Sequence, residues 1–270
     1  MMYTVIGCIV AVGATVATTY FRASGRPRLI YDKTDENMAL LRACHLLEMP
    51  YRPTPWCFGK HFQTAISSTL RRSAIVVYRR EIINMPSDNG TVALDWCGRE
   101  QESTSVEAEN DNIPILLILH GVTGGSAESY VTQLVWAARE IGWHAVVFNN
   151  RGCAQSDLTT PRAYCAADTS DLATVVNYIH QRNPRSPLVA VGFSMGANIL
   201  TKYLGEYGSS TSILAAVSLA NPLDLVESSK LLNSGISNYL YNPAIAARLR
   251  AYVSRHQSIL QTRFRLLVVL

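Results

Sequence analysis

Charge is scarce in this sequence of 270 residues: Asp, Glu, Lys and Arg make up 16% of it, and the formal net charge is +4. No basic stripe with interleaved aromatics occurs, which excludes the electrostatic footprint of a nucleic-acid binder. Phosphate-cradling signatures are missing as well, with neither G-x-x-x-x-G-K nor G-x-G-x-x-G in the chain. The six cysteines (Cys8, Cys44, Cys57, Cys97, Cys153, Cys165) form no C-x-x-C and no paired metal spacing. They read as buried or free thiols rather than a disulfide framework or a zinc site. Residues 1–20 contain no charged side chain at all, and Arg22, Arg26 and Arg28 follow. At 1.5 Å rise per residue that run matches a hydrocarbon core of about 30 Å, so it predicts a signal anchor. A cleaved signal peptide is the rival, but a basic n-region and a clear small-x-small site are lacking. The arginines place the body in the cytoplasm by the positive-inside tendency.

What is present is apolar: 48% of residues are hydrophobic, which suits one large α/β domain. The chain is organised around Gly192-Phe-Ser-Met-Gly196, between the apolar run 187–191 and a helix-period segment from Ala197. A strand that reverses into a helix within a few residues forces the serine into a strained conformation and lifts its hydroxyl clear of the sheet. Strand and helix then approach so closely that only small residues fit, and Gly192, Gly196 and Ala197 supply them. Ser194 is therefore the candidate nucleophile.

Before that motif, residues 35–48 read as a helix. Residues 49–64, with three prolines in six residues, read as an extended strap packed by Trp56 and Phe58. His61 sits in it as a strap histidine. Residues 74–78 and 91–96 read as antiparallel strands around the turn Ser87-Asp-Asn-Gly90. That turn chemistry also accounts for the sequon Asn89-Gly-Thr91. Residues 98–112 are polar and acidic, a solvated loop. From Ile113 the pattern alternates: buried strand 113–120, glycine loop 121–125, helix 126–141, strand 144–148, helix 169–181, the elbow strand and helix, and strand 213–219. Such alternation predicts a mostly parallel sheet with flanking helices.

A serine hydroxyl needs a base and a stabilised oxyanion. One oxyanion donor is the backbone N–H of Met195, directly after the serine. The second comes from the loop after His120-Gly121, at Val122 or its neighbour Thr123. His120 reads as a brace for that loop rather than a base.

Together, Tyr51-Arg-Pro-Thr-Pro-Trp-Cys-Phe-Gly59 with Gln63-Thr64, His120-Gly-Val-Thr-Gly-Gly-Ser126, Phe148-Asn-Asn-Arg-Gly-Cys153, Ala163-Tyr-Cys165 and the elbow resemble the AB-hydrolase type 4 branch of the α/β-hydrolase superfamily. The resemblance covers residues 1–258. It implies an α/β-hydrolase fold behind an N-terminal transmembrane helix, in the endoplasmic reticulum or another endomembrane. It also implies a serine hydrolase of lipid or carboxylic esters through Ser194, with no metal or organic cofactor and no nucleic-acid partner. The family's usual type II topology puts the body across the bilayer, opposite to the arginine rule. The organisation read from both sources is an anchor at 1–21, a helix and strap at 22–73, a hydrolase core at 74–222, a partial helical cap at 223–260 and an atypical apolar tail at 261–270.

The sequence departs from that pattern after the nucleophile. The triad order in this fold is serine, acid, histidine. Beyond Ser194 the carboxylates are Glu206, Asp224 and Glu227, and the histidine is His256. Asp224 and His256 are the local residues that could substitute, against plainer readings as a loop carboxylate and a solvated helical histidine. The expectation is a C-terminally truncated chain with the last strands, acid and base missing, weak or inactive by itself. An acyltransferase on the same fold and a non-catalytic isoform are the alternatives.

Overall fold

The computed structural model describes residues 7, 11, 13–18, 20–21, 24–54, 57, 59–70, 73–98 and 112–265. The chain divides into two units, Met1–Arg72 and Ser73–Leu270. Among the described residues no helix is long and apolar enough to cross a membrane. The uncharged stretch 1–20 falls largely outside them, as do Trp56, Phe58 and the end of the tail.

In the first unit, α1 (Asp35–Ala43) starts where the Thr34 hydroxyl accepts from the Asn37 N–H at 3.2 Å, with Asp35 and Glu36 on the positive end of the helix dipole. The single helix expected over 35–48 is broken: Cys44 leaves helical geometry and His45–Leu47 form a separate 3₁₀ turn. The strap is shorter than expected. Helix α2 (Lys60–Leu70) begins soon after the last proline, Pro55, and takes His61 with it.

The second unit holds a six-stranded sheet in the order β1-β2-β4-β3-β5-β6. The strands are β1 (Arg79–Asn84), β2 (Thr91–Cys97), β3 (Ile115–Leu119), β4 (His144–Asn149), β5 (Leu188–Phe193) and β6 (Ile213–Leu219). Strand β2 runs antiparallel to both β1 and β4, and the remaining pairs are parallel. The first strand lies later than expected, because the tight turn closing Met85 N–H on the Gly90 carbonyl (2.7 Å) pairs Asn84 with Thr91 and Arg79 with Trp96. The apolar run 74–78 therefore precedes the ladder, and Ile75 is 95% exposed.

Helices pack on both faces, so β3 is buried throughout. Its residues alternate. Ile115, Leu117 and Leu119 join α4 (Ser170–Arg182) and α5 (Met195–Tyr207) through Val176, Ile179 and Leu200. Leu116 and Ile118 face α3 (Ser129–Glu140) through Val131 and Val135. Each such side chain contributes roughly 1.5–3 kcal/mol of burial. Thr169 stands at the N-cap of α4, but its hydroxyl bonds Glu206 instead of a helix amide. Beyond β6 come α6 (Leu225–Leu232), α7 (Gly235–Arg255) and the short α8 (Gln257–Leu260).

Buried charge ties this frame together. The Arg151 side chain is 1% exposed and forks onto two carboxylates: Asp171 of α4 at 2.5 and 2.8 Å, and Asp88 of the β1–β2 turn at 2.7 and 3.0 Å. Hydrogen bonds from Arg151 hold the Asp88 carboxyl down to about 2. Its folded value is depressed, so its stabilisation is present above the unfolded value of about 4 and is lost as pH falls toward 2. Arg151→Ala strands two carboxylates and should cost about 3 kcal/mol or more in urea unfolding. In the intact chain, stability should fall as pH drops from about 4 to 2, and Asp88→Asn should flatten that slope.

Candidate active site

Ser194 sits between β5 and α5 at φ 52°, ψ −116°, a conformation a non-glycine residue adopts only when its surroundings enforce it. Its N–H donates to the Leu219 carbonyl of β6 at 2.9 Å, and its own carbonyl accepts from Asn198 at 3.0 Å. The residue is exposed. The small neighbours are sterically required. A Cβ on Gly192 would stand 2.6 Å from the Ala197 Cα, and one on Gly196 would stand 2.5 Å from the His120 carbonyl oxygen.

The loop after β3 faces this turn. A Cβ on Gly121 would lie 3.4 Å from the Ser194 Cβ. His120 is fully buried; its Nε2 accepts from the Asn150 N–H (3.2 Å), which leaves Nδ1 to donate to the Gly121 carbonyl (2.6 Å). Burial pushes the imidazole down to about 4, so it is neutral and acts as the expected brace. The far end of the loop is clamped by Asp95 of β2. That carboxylate accepts from Ser126 Oγ (2.5 Å) and Asn149 Nδ2 (2.9 Å) and forks with Arg80 at 2.7 Å. Burial opposes its ionisation, but the bonds from Arg80, Ser126 and Asn149 outweigh that and keep it below the usual carboxylate range.

Of the two loop amides considered for the oxyanion, Thr123 N–H is already taken by Tyr164 Oη at 2.7 Å. Val122 N–H has no acceptor among the described residues. Met195 N–H opens α5, where no preceding turn supplies an acceptor.

The two substitute candidates have other work. Asp224 is the N-cap of α6, its Oδ1 accepting from the Glu227 N–H at 2.8 Å. His256 is not solvated: it is buried at the end of α7, with Nε2 on the Gly152 carbonyl at 2.9 Å. Among the described residues no side chain hydrogen-bonds the Ser194 hydroxyl. Asp95, Tyr130, Arg151 and Tyr164 carry no role in the sequence pattern, although Arg151 and Tyr164 lie within two of the motifs. One usable signal was the polar run Asn149-Asn-Arg151 directly after an apolar strand; all three are buried.

A family profile described as alpha/beta hydrolase fold matches residues 114–267, more than half of the chain. The chain belongs to the α/β-hydrolase family. The chain is 38% identical over 242 residues to "Embryogenesis-associated protein EMB8" of Picea glauca, covering 89% of the chain and 53% of that protein. It is 32% identical over 255 residues to human "Phospholipase ABHD3", covering 93% and 62%. With the "Monoacylglycerol lipase" of Saccharomyces cerevisiae it shares 36% over 235 residues, covering 74% and 52%. The chain thus spans between half and two thirds of the length of these relatives.

The steric reading of the elbow is open to measurement. Gly192→Ala drives a Cβ into backbone that cannot step aside and should lower stability by about 3 kcal/mol in urea unfolding. Gly205→Ala, with nothing within 4 Å on the same helix, should instead be neutral or raise stability by up to about 1 kcal/mol.

Proposed function

We propose that this hydrolase carries the nucleophile and oxyanion donors of a serine ester hydrolase acting on lipid or other carboxylic esters. Ser194 attacks the ester carbonyl carbon, and its proton passes to a base. The N–H groups of Met195 and Val122 receive the negative charge that develops on the carbonyl oxygen. Collapse of the tetrahedral intermediate expels the alcohol, and water then releases the acid. The observation that carries this reading is the strained, exposed Ser194 set against a loop in which the Gly121 and Thr123 amides are taken by tyrosine hydroxyls while the Val122 amide between them has no acceptor among the described residues. The relatives named as a phospholipase and a monoacylglycerol lipase support lipid esters as the substrate class.

The base is the open role. Triad order puts acid and histidine after the serine, and neither Asp224 nor His256 bonds Ser194. We infer that they are supplied by sequence equivalent to the part of the relatives that this chain does not cover. The 270-residue chain should therefore react with a fluorophosphonate only slowly, by roughly 10⁴-fold against a complete triad. Fusing on the C-terminal segment of the human phospholipase relative should restore labelling and ester hydrolysis, and Ser194→Ala should abolish both. Fast labelling of the unfused chain, or labelling that survives Ser194→Ala, would defeat the assignment.

We also propose that residues 1–20 anchor the protein as a single span in an endomembrane, which would put the site beside its lipid substrate. The support is the uncharged run and the arginines that follow it. The chain should stay with membranes through alkaline carbonate washing, and deletion of residues 1–28 should release it. Recovery of the intact chain in the supernatant would remove the anchor.

A further inference from the structure

The loop whose Gly121 would set a Cβ 3.4 Å from that of Ser194 carries three consecutive amides, those of Gly121, Val122 and Thr123, and the structure treats them differently. Gly121 N–H donates to Tyr130 Oη at 3.0 Å, and Thr123 N–H donates to Tyr164 Oη at 2.7 Å. The middle amide is left over. Thr123 is also held at φ 53°, a left-handed conformation that a β-branched residue keeps only under an external hold.

Both tyrosines are anchored apart from the loop. Tyr130 belongs to α3, and its ring packs on Phe193 of the elbow strand at 4.6 Å between centroids. Tyr164 meets Tyr252 of α7 edge-on at 5.6 Å, and its hydroxyl faces the buried Cys153 thiol. Tyr252 Oη donates to the Arg151 carbonyl at 2.8 Å, and its ring lies 4.8 Å from that of His256. The motifs Asn149-Asn-Arg-Gly-Cys153 and Ala163-Tyr-Cys165 thereby meet at the oxyanion loop.

We propose that Tyr130 and Tyr164 are positioning residues for the oxyanion donor: by consuming the amides on either side, they leave the Val122 N–H free and fix its peptide plane beside Ser194. The assignment rests on the hydrolase reading above. Phenylalanine at either position keeps the ring contact but leaves a part-buried N–H without its acceptor. The loop relieves that loss by rotating its peptides, and the donor turns away from the oxyanion. A displacement near 1 Å is enough to slow the chemical step by about 100-fold. Because Tyr164 leans on Tyr252, the seat of α7 sets the loop geometry too.

Amide hydrogen exchange on the 270-residue chain tests this without any turnover. In Tyr164→Phe, exchange at Thr123 should rise about tenfold, as it should at Gly121 in Tyr130→Phe, while β3 and β5 amides keep their protection. Unchanged exchange across 121–124 in both variants overturns the proposal. Should Tyr164→Phe lose protection in β3 and β5 as well, the Gly121 comparison in Tyr130→Phe decides. Slow phosphonylation of Ser194 supplies the second readout: kinact should fall about 10- to 100-fold with KI unchanged. A raised KI with kinact intact overturns the positioning role. If labelling persists in Ser194→Ala, the hydrolase reading fails, and the exchange result still judges the tyrosines.

Discussion

The site depends on one close approach, that of the first turn of α5 against the end of β3. At Gly196 there is no room for a single methyl group, because the Leu119 and His120 carbonyl oxygens stand where it would go. Such contact brings two backbone segments, remote in sequence, to the same few ångströms of space. Once they meet, the turn that carries Ser194 and the loop that carries Gly121 are neighbours, a Cβ on Gly121 standing 3.4 Å from that of Ser194. Parallel pairing of β3 with β5, Leu119 beside Gly192, delivers both segments to the same end of the sheet.

The loop after β3 keeps its place beside that turn only if it is rigid, and here rigidity is supplied by buried polar groups. Asp95 and Asn149 grip the loop at Ser126, while His120 and Asn150 grip it at Gly121. Each of these groups would be costly if left unpaired. They satisfy one another across β2, β4 and the loop, so loosening one exposes its partners. Arg151 extends the same logic outward, fastening the segment after β4 to α4 and to the first hairpin.

The order of elements after Ile113 was legible because a strand covered on both faces must be apolar throughout, and 115–119 and 145–148 satisfy that without interruption. The elbow was legible because its sterics act within five residues. Strand β1 was misplaced by several residues. Residues 74–78 have the β-branched look of a strand, but register is set by the turn, and Arg79-Arg-Glu81 pairs despite its charge. What could not be read was pairing between distant polar residues. Nothing near Tyr164 in the chain says that its hydroxyl meets Thr123, 41 positions away. Nor does the lone His256 announce that Gly152 claims it. Local periodicity encodes which face a residue occupies; hydrogen-bond partnership across a fold has no such local signature.

The brace histidine has one more effect. His120 is held neutral down to about pH 4, Tyr130 is pushed up to about 12 by its burial, and Tyr164 is raised in the same way. The groups that grip the loop after β3 thus keep a constant charge across the whole range in which a cell operates. The frame around the serine is electrically silent there. On the proposed reaction, a rate inflection near neutrality would then report the ionisation of whatever group accepts the Ser194 proton, with no contribution from this loop's scaffold superimposed on it.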